Sequence, residues 1–490
     1  MDRIRWLTEV MSDPVVVEEK KDKKEEMYPL TTDKAPIVTR HKLGDLKYTA
    51  TTGMMPINNE IGEVEGGMFY VAYTKEGVKD PASRSIMFSF NGGPGSSSVW
   101  LHLGIIGPKR VVMEADGGMP QPPFKLVDNE YSWLEDTDLV FIDPIGTGYS
   151  RPAKKDGGKK FWSLEGDIAS VGEFIRLYLS RNNRWSSPVH LVGESYGTTR
   201  AAGLSGHLIE KGIAFNSIVL VSSILNFQTA RFNKGNDLPY QVFLPTYTAT
   251  AWFHKKTKYK TLESALKASE EFASNEYVLA LAKGSSLGDA ERKLVRTKLA
   301  SLTGLSEDYL ESTDLRVNIH RFCKELLRDE KRTVGRLDSR FKGIDESAST
   351  ENPEHDPAMT AIMAPYTAMI NDYIRRDLGY ETDQPYYVFN PGELWKNWSY
   401  GDAGAGHPDT SEALRAAMSK NPYMKVFIAS GYYDMATPYF ATEYTVNHLA
   451  LDPTLRANIH TDYYEAGHMM YIDEGCMKKL HADIKKFYKS

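Results

Sequence analysis

The sequence has 490 residues, 41% hydrophobic and 25% charged, which exceeds one average domain and is ample for a large core. Asp plus Glu total 65 against 59 Lys plus Arg, a formal net charge of −6, and this argues against nucleic acid or an anionic membrane as the main partner. The two cysteines, Cys323 and Cys476, exclude a disulfide-stapled small fold and a four-cysteine zinc site, and no apolar run approaches the ~18 residues of a membrane span.

The chain opens without the apolar stretch of about 7–15 residues that a secretory signal needs. That favours the cytoplasm, with an extracytoplasmic location left for a processed or engineered start. Glu18 to Glu26 are nine consecutive charged residues and cannot bury apolar surface, so residues 1–40 are expected to form a charged, flexible lead-in. Residues 46–74 suggest short antiparallel strands. Compact apolar runs follow at Ser85–Phe90, Asp138–Asp143, Pro188–Val192 and Ser217–Ser222. Short continuous runs of this kind fit strands buried on both faces. Between them Ser163–Arg181 has a helical apolar face formed by Leu164, Ile168, Val171, Phe174, Ile175 and Tyr178. Alternating strands and helices predict an α/β class with a mostly parallel sheet.

From about Leu225 to Tyr387 strand signals nearly vanish. Residues 261–283, 289–301, 317–330 and 357–378 read as helices, and Asp338–His355 as polar loop. Strands resume at Met424–Ser430 and Ile459–Glu465. The expected organisation is a core in two parts, residues 41–225 and 388–490, split by a helical cap at 226–387.

Gly193-Glu-Ser195-Tyr-Gly197 matches G-x-S-x-G, the strand-to-helix elbow that exposes a nucleophilic serine. Ser286, in Gly284-Ser-Ser-Leu-Gly288, fits the same pattern, but it follows a helical segment instead of a strand and reads as a loop. Asn91-Gly-Gly-Pro-Gly95 directly follows the strand at Ser85–Phe90, where this architecture places a second oxyanion amide. It lacks the Lys of a phosphate loop. The order Ser, acid, His then selects Asp434, just past Ser430, and His468, just past Glu465. His448 and His460 are rivals placed on a helix and inside a strand. In this assignment Ser195 attacks a carbonyl, His468 moves the proton and Asp434 orients the imidazole. Trp395, Trp398 and Tyr400 read as packing, with a substrate pocket as the alternative. Neither H-E-x-x-H nor paired Cys/His ligands occur, so no metal or cofactor is expected.

Together, Asn91–Gly95, Gly193–Gly197, the Gly-Tyr-Tyr turn before Asp434 and Gly467-His-Met469 resemble the serine carboxypeptidases. Asp143-Pro-Ile-Gly-Thr-Gly-Tyr-Ser150 is similar to that family's D-Q-P-x-G-x-G-[FY]-S segment, with Asp143 at the Gln position. The resemblance implies an α/β-hydrolase core with a cap, and hydrolysis of C-terminal peptide bonds in peptides bearing a free carboxylate. It makes the Gly93 and Tyr196 amides the oxyanion hole, and Asn91, Gly92 and Glu194 the carboxylate grip. Glu194 would then act as a protonated donor. In familiar members a second Glu fourteen residues after the Asn shares that proton. Here the position is Ile105, so a lower Glu194 pKa is expected unless burial raises it, with activity nearer neutral pH. Arg110, Arg200 and His102 are candidates to bind the carboxylate instead, with a solvated or structural role as the other reading of each. Two cysteines cannot reproduce the family's disulfides, and the chain resembles its bacterial-type members. Esterase, acyltransferase or aminopeptidase chemistry on the same core is the alternative, and a noncatalytic binding protein the third reading.

Overall fold

A computed structural model describes residues 26–390, 392–401 and 406–489. Nine strands run through one sheet: β1 (Ile37–Leu43), β2 (Leu46–Asn58), β3 (Val64–Lys75), β4 (Ile86–Phe90), β5 (Asp138–Ile142), β6 (Val189–Ser195), β7 (Ser217–Ser223), β8 (Lys425–Gly431) and β9 (Ile459–Tyr464). Their spatial order is β1-β2-β3-β5-β4-β6-β7-β8-β9, and the two-residue strand Arg151–Pro152 pairs off the path with β3. The first three pairings, ending with β3 on β5, are antiparallel, and every later pairing is parallel. The α/β class expected from the alternation of apolar runs is the observed one.

Those runs are continuous because both sheet faces are covered, and the pleat divides each strand between two cores. Met87, Val219, Val221, Phe427 and Ala429 face one core; Ile86, Phe88, Ile218, Leu220, Val426 and Ile428 face the other. Helices α1 (Leu164–Arg181) and α2 (Tyr196–Ile209) cover the second face together with Leu414, Ala417 and Met418. The Ser163 side chain caps α1 by accepting from the Gly166 N–H.

Three further helices, α3 (Leu238–Phe253), α4 (Leu262–Phe272) and α5 (Asp289–Thr303), lie between β7 and β8 in the chain. α3 and α5, with Phe272 at the end of α4, contribute to a separate apolar cluster that includes Phe322 and Cys323. Helix α6 (Pro357–Arg376) behaves differently, since Ile362, Tyr366, Ile370 and Tyr373 join α7 (Glu474–Lys489) on the first sheet face. The segment expected as a single helical cap is therefore divided, with its last helix part of the sheet's own covering. Both cysteines are free.

Two sequence readings need correction. Residues 37–40, assigned by charge to the flexible lead-in, begin edge strand β1, and Tyr28 N–H donates to Ala153 O. The charged stretch itself lies mostly outside the described residues. Asp338, read as the start of polar loop, is buried.

The end of the sheet opposite the motif loops is pinned by buried Asp138, whose carboxylate accepts from Arg84 at 2.8 Å and Arg184 at 2.7 Å. Both guanidiniums also donate to carbonyls here, Arg184 to those of residues 84 and 85 and Arg84 to that of Leu134. Removing the acid leaves buried Arg184 and half-buried Arg84 without a counter-charge. Asp138→Ala is expected to lower unfolding stability by about 3–5 kcal/mol in denaturant titration; a loss near zero would contradict this reading.

Candidate active site

Strand β6 ends at Ser195 and α2 starts at Tyr196, so the elbow is a single residue wide. Ser195 sits at φ 60°, ψ −130°, a region costly for a side-chain-bearing residue and often retained at functional sites. The turn closes only because its flanks are glycine. A Cβ on Gly193 would fall 2.2 Å from the Gly197 carbonyl oxygen, and one on Gly197 would fall 2.9 Å from the Phe90 oxygen. Ser286 occupies no comparable place; it lies exposed in a short turn, Gly284–Ser286.

The loop after β4 comes up against this elbow. A Cβ on Gly92 would lie 2.4 Å from Tyr196 N, and Gly93 has φ 105°. Tyr196 is the first residue of α2, so its N–H has no carbonyl partner within the helix. Three buried groups tie the two loops together. Arg200 donates to Asp167 at 2.8 Å and to the Asn91 carbonyl at 2.7 Å, while the Tyr196 hydroxyl donates to Asp167 at 3.0 Å. Asp143 accepts from the Ser98 N–H at 2.8 Å, and burial pushes its pKa up to about 7.

Asp434 and His468 follow β8 and β9. His468 Nδ1 meets Asp434 Oδ2 at 2.7 Å. The other Asp434 oxygen accepts from the Ala436 and Thr437 N–H groups at 2.7 and 3.0 Å, and the Thr437 hydroxyl donates to Oδ2 at 2.6 Å. Burial raises the Asp434 pKa, but the imidazole and these donors outweigh it and hold the carboxyl below its ordinary value. Burial likewise disfavours charged His468, yet the Asp434 carboxylate prevails and raises the imidazole above 6.5. A carboxylate accepting at Nδ1 leaves Nε2 as the proton acceptor when the ring is neutral.

The residues around His468 were only partly found by sequence reasoning. The Leu337 carbonyl accepts from His468 N–H at 2.6 Å, and Asp338 accepts from Gly467 N–H at 2.9 Å. Arg340 pairs with Asp338 at 2.7 Å and Asp473 at 3.1 Å. Residues 337–340, in the segment expected to be cap, therefore grip the histidine loop.

Ser195, His468, Glu194, Asn91, Gly92 and Gly93 all line one cavity of about 410 Å³. Trp100, Met359, Ile362, Phe389 and Trp395 give it apolar walls, and His320 and Arg336 also face it. Of the three aromatics near the expected cap's end, Trp395 lines this cavity. Trp398 packs on Tyr196 and Tyr400 on Phe227.

Glu194 is buried, and desolvation pushes its carboxyl up to about 7. The lower value expected for an unpaired carboxyl is thus overturned by burial, the condition on which it rested. At Ile105 there is no polar group, and that side chain belongs to the core. Tyr471 contacts Glu194 instead, its hydroxyl donating to Oε2 at 2.5 Å. Gly104 makes room for it, since a Cβ there would lie 2.3 Å from the tyrosine ring. Asn91 Oδ1 accepts from Leu101 N–H at 3.1 Å, while its buried Nδ2, beside Glu194, has no acceptor in hydrogen-bonding geometry.

None of the three cations considered as carboxylate binders lines the cavity. Arg200 is committed to Asp167 and the Asn91 carbonyl, and Arg110 pairs with Glu130 at 3.1 Å. His102 bonds the Tyr73 hydroxyl at 2.6 Å, stacks on Phe141, and is pushed down to about 3 by burial. Among the described residues, no group of three or more His, Cys, Asp or Glu could hold a metal ion, and no helix is long and apolar enough to cross a membrane.

Comparison with known proteins gives one consistent result. The family model described as serine carboxypeptidase matches residues 44–476. Serine carboxypeptidase-like 16 of Arabidopsis thaliana is 31% identical over 158 residues, which is 31% of this chain and 33% of that protein. Carboxypeptidase Y of Saccharomyces cerevisiae is 25% identical over 193 residues, 39% of this chain and 30% of that protein. The chain thus aligns to about a third of the length of such curated relatives. The crystal structure of Kex1(delta)p, a prohormone-processing carboxypeptidase from Saccharomyces cerevisiae, superposes with a TM-score of 0.59 at 15% identity, covering 94% of this chain and 97% of that one. At that identity the likeness is one of fold.

The pairing of His468 with Asp434 has a direct spectroscopic consequence. In Asp434→Asn the buried imidazole loses its compensating charge, so its pKa is expected to fall below the ordinary value near 6.5. Histidine-resolved NMR titration reads this, and an unchanged midpoint would contradict the role given to Asp434.

Proposed function

Because the chain belongs to the serine carboxypeptidase family, we propose that it hydrolyses the C-terminal peptide bond of peptides through an acyl-enzyme on Ser195. One observation carries the reading. A serine on a strained elbow shares its cavity with a carboxylate-oriented histidine and with two buried groups suited to a free terminal carboxylate, Glu194 and Asn91.

In the proposed reaction Ser195 Oγ attacks the scissile carbonyl carbon while His468 Nε2 takes its proton. The Gly93 and Tyr196 N–H groups receive the developing oxyanion. His468 returns the proton to the leaving amine, releasing the C-terminal residue. Water, deprotonated by the same imidazole, then attacks the ester, and Ser195 recovers its proton from His468. Protonated Glu194, Asn91 Nδ2 and the Gly92 N–H grip the terminal carboxylate. Peptides with a free C-terminus are accordingly the proposed substrates.

Two titrations set the pH dependence. His468 must be neutral to act as a base, so rate falls as pH drops through its raised pKa. Glu194 donates only while protonated. Above about pH 7 it becomes an anion facing the substrate's carboxylate, and KM rises.

The substrate class is tested with an N-blocked dipeptide, the same peptide as its C-terminal amide, and a short-chain nitrophenyl ester. The free-acid peptide is expected to lose its C-terminal residue, and Ser195→Ala to abolish this; cleavage of the ester alone would overturn the proposal. The pH profile is a separate test. For the free-acid dipeptide, kcat/KM should peak near neutrality, and Glu194→Gln, a donor at every pH, should remove the alkaline rise in KM. An optimum at pH 4–5 would contradict the assignment.

A further inference from the structure

The cavity contains a cation that neither the proposed chemistry nor the carboxylate grip employs. Arg336 lies two residues beyond the short strand Thr333–Val334 and lines the same cavity as Ser195, sharing that lining with Ile319, His320, Leu337, Met359 and Ile362. Its backbone is fixed: the N–H donates to Asp356 at 3.2 Å and the carbonyl accepts from Met435 N–H at 3.0 Å.

The guanidinium itself has no hydrogen bond or ion pair among the described residues, although two acids stand close in the chain fold. Both are already occupied. Asp356 caps α6 and accepts from the N–H groups of Arg336, Leu337 and Ala358. Asp338 accepts from Gly467 N–H and is bidentate with Arg340. The other titratable groups lining the cavity are Glu194, His320 and His468. Glu194 is held by Tyr471 and is neutral below about pH 7, while burial and the Arg336 charge depress His320. The cavity therefore presents one permanent, unpaired positive charge in a partly desolvated wall. A planar five-donor fork in such a place suits a carboxylate, which it can bind in bidentate fashion.

Resting on the carboxypeptidase reading above, we propose that Arg336 selects peptides with an acidic side chain on a residue flanking the scissile bond. The terminal carboxylate remains with Asn91, Gly92 and Glu194, and the second carboxylate of the substrate pairs with Arg336. Such a site would disfavour Lys and Arg at the same position by like-charge contact.

Matched N-blocked dipeptides carrying Glu or its neutral isostere Gln, at the C-terminal or the penultimate position, test this. The unmodified enzyme is expected to favour Glu over Gln at one position by at least about tenfold in kcat/KM, which corresponds to about 1.4 kcal/mol. Arg336→Gln should bring that ratio toward one, Arg336→Lys should keep part of it, and Arg336→Glu should reverse the preference toward a Lys peptide. Added salt should shrink the ratio for the unmodified enzyme. Thermal unfolding of each variant checks that the fold is intact, since the backbone contacts of residue 336 do not depend on its side chain. Equal rates for Glu and Gln at both positions, or a Glu preference unchanged in Arg336→Gln, would overturn the assignment and leave the carboxypeptidase reading standing. Hydrolysis of none of the dipeptides would overturn both.

Discussion

The arrangement depends on how closely two backbone loops approach each other. Gly92 lies against the start of α2 with no space for a β-carbon, and Gly193 and Gly197 close the elbow under the same constraint. This contact brings the residues after β4 beside the first amide of α2 and holds Ser195 in a conformation that its own side chain disfavours. Parallel strands β4 and β6 are neighbours in the sheet, so the approach is built into the topology. The buried Asp167–Arg200 pair then locks it, because Arg200 reaches the Asn91 carbonyl while Asp167 holds the Tyr196 hydroxyl. Glycine permits the contact, and the ion pair sets its geometry.

Electrostatics around His468 follow from burial acting on two carboxyls in opposite settings. Asp434 is surrounded by donors and an imidazole, so it stays ionised despite complete burial. At Glu194 desolvation outweighs the opposing pull of His468, the Tyr471 hydroxyl and Asn91, with the Asp434 charge adding to it, and the pKa rises to about 7. Two buried carboxyls that both act on His468, of which Glu194 lines the cavity, are thereby given different protonation states. A tyrosine in place of an acidic partner changes the character of the site, because Tyr471 donates and so favours the ionised form of Glu194. The histidine loop has its own support from residues 337–340, which joins the region between β7 and β8 to His468.

What the sequence disclosed and what it withheld follow chain separation. The β4–β8 runs were legible because strands covered on both faces must be continuously apolar, and the elbow was legible because its glycine requirements are local. Edge strand β1 escaped notice because it alternates exposed and partly buried residues, including Arg40, His41 and Lys42, over a solvated edge. Tyr471 and Glu194 are 277 residues apart, and Asp338 and Gly467 are 129 apart. No local pattern links either pair. Gly104 was the one available signal for the first, a glycine beside the position where a carboxylate was missing. The two readings open for Arg200, carboxylate binding and a structural role, could be separated only by the fold, and the structural one is observed. Its charge is consumed in the core, while the unpaired Arg336 sits in a segment with no recognisable motif.

The central claim is that Ser195 is the single activated nucleophile, with His468 as its base. Reaction with a fluorophosphonate probe, followed by intact-mass measurement and peptide mapping, tests it most directly. One equivalent should attach to Ser195 within the peptide containing Gly193–Gly197, and His468→Ala should suppress the labelling. Modification of another serine such as Ser286, or labelling undiminished without the histidine, would contradict the account.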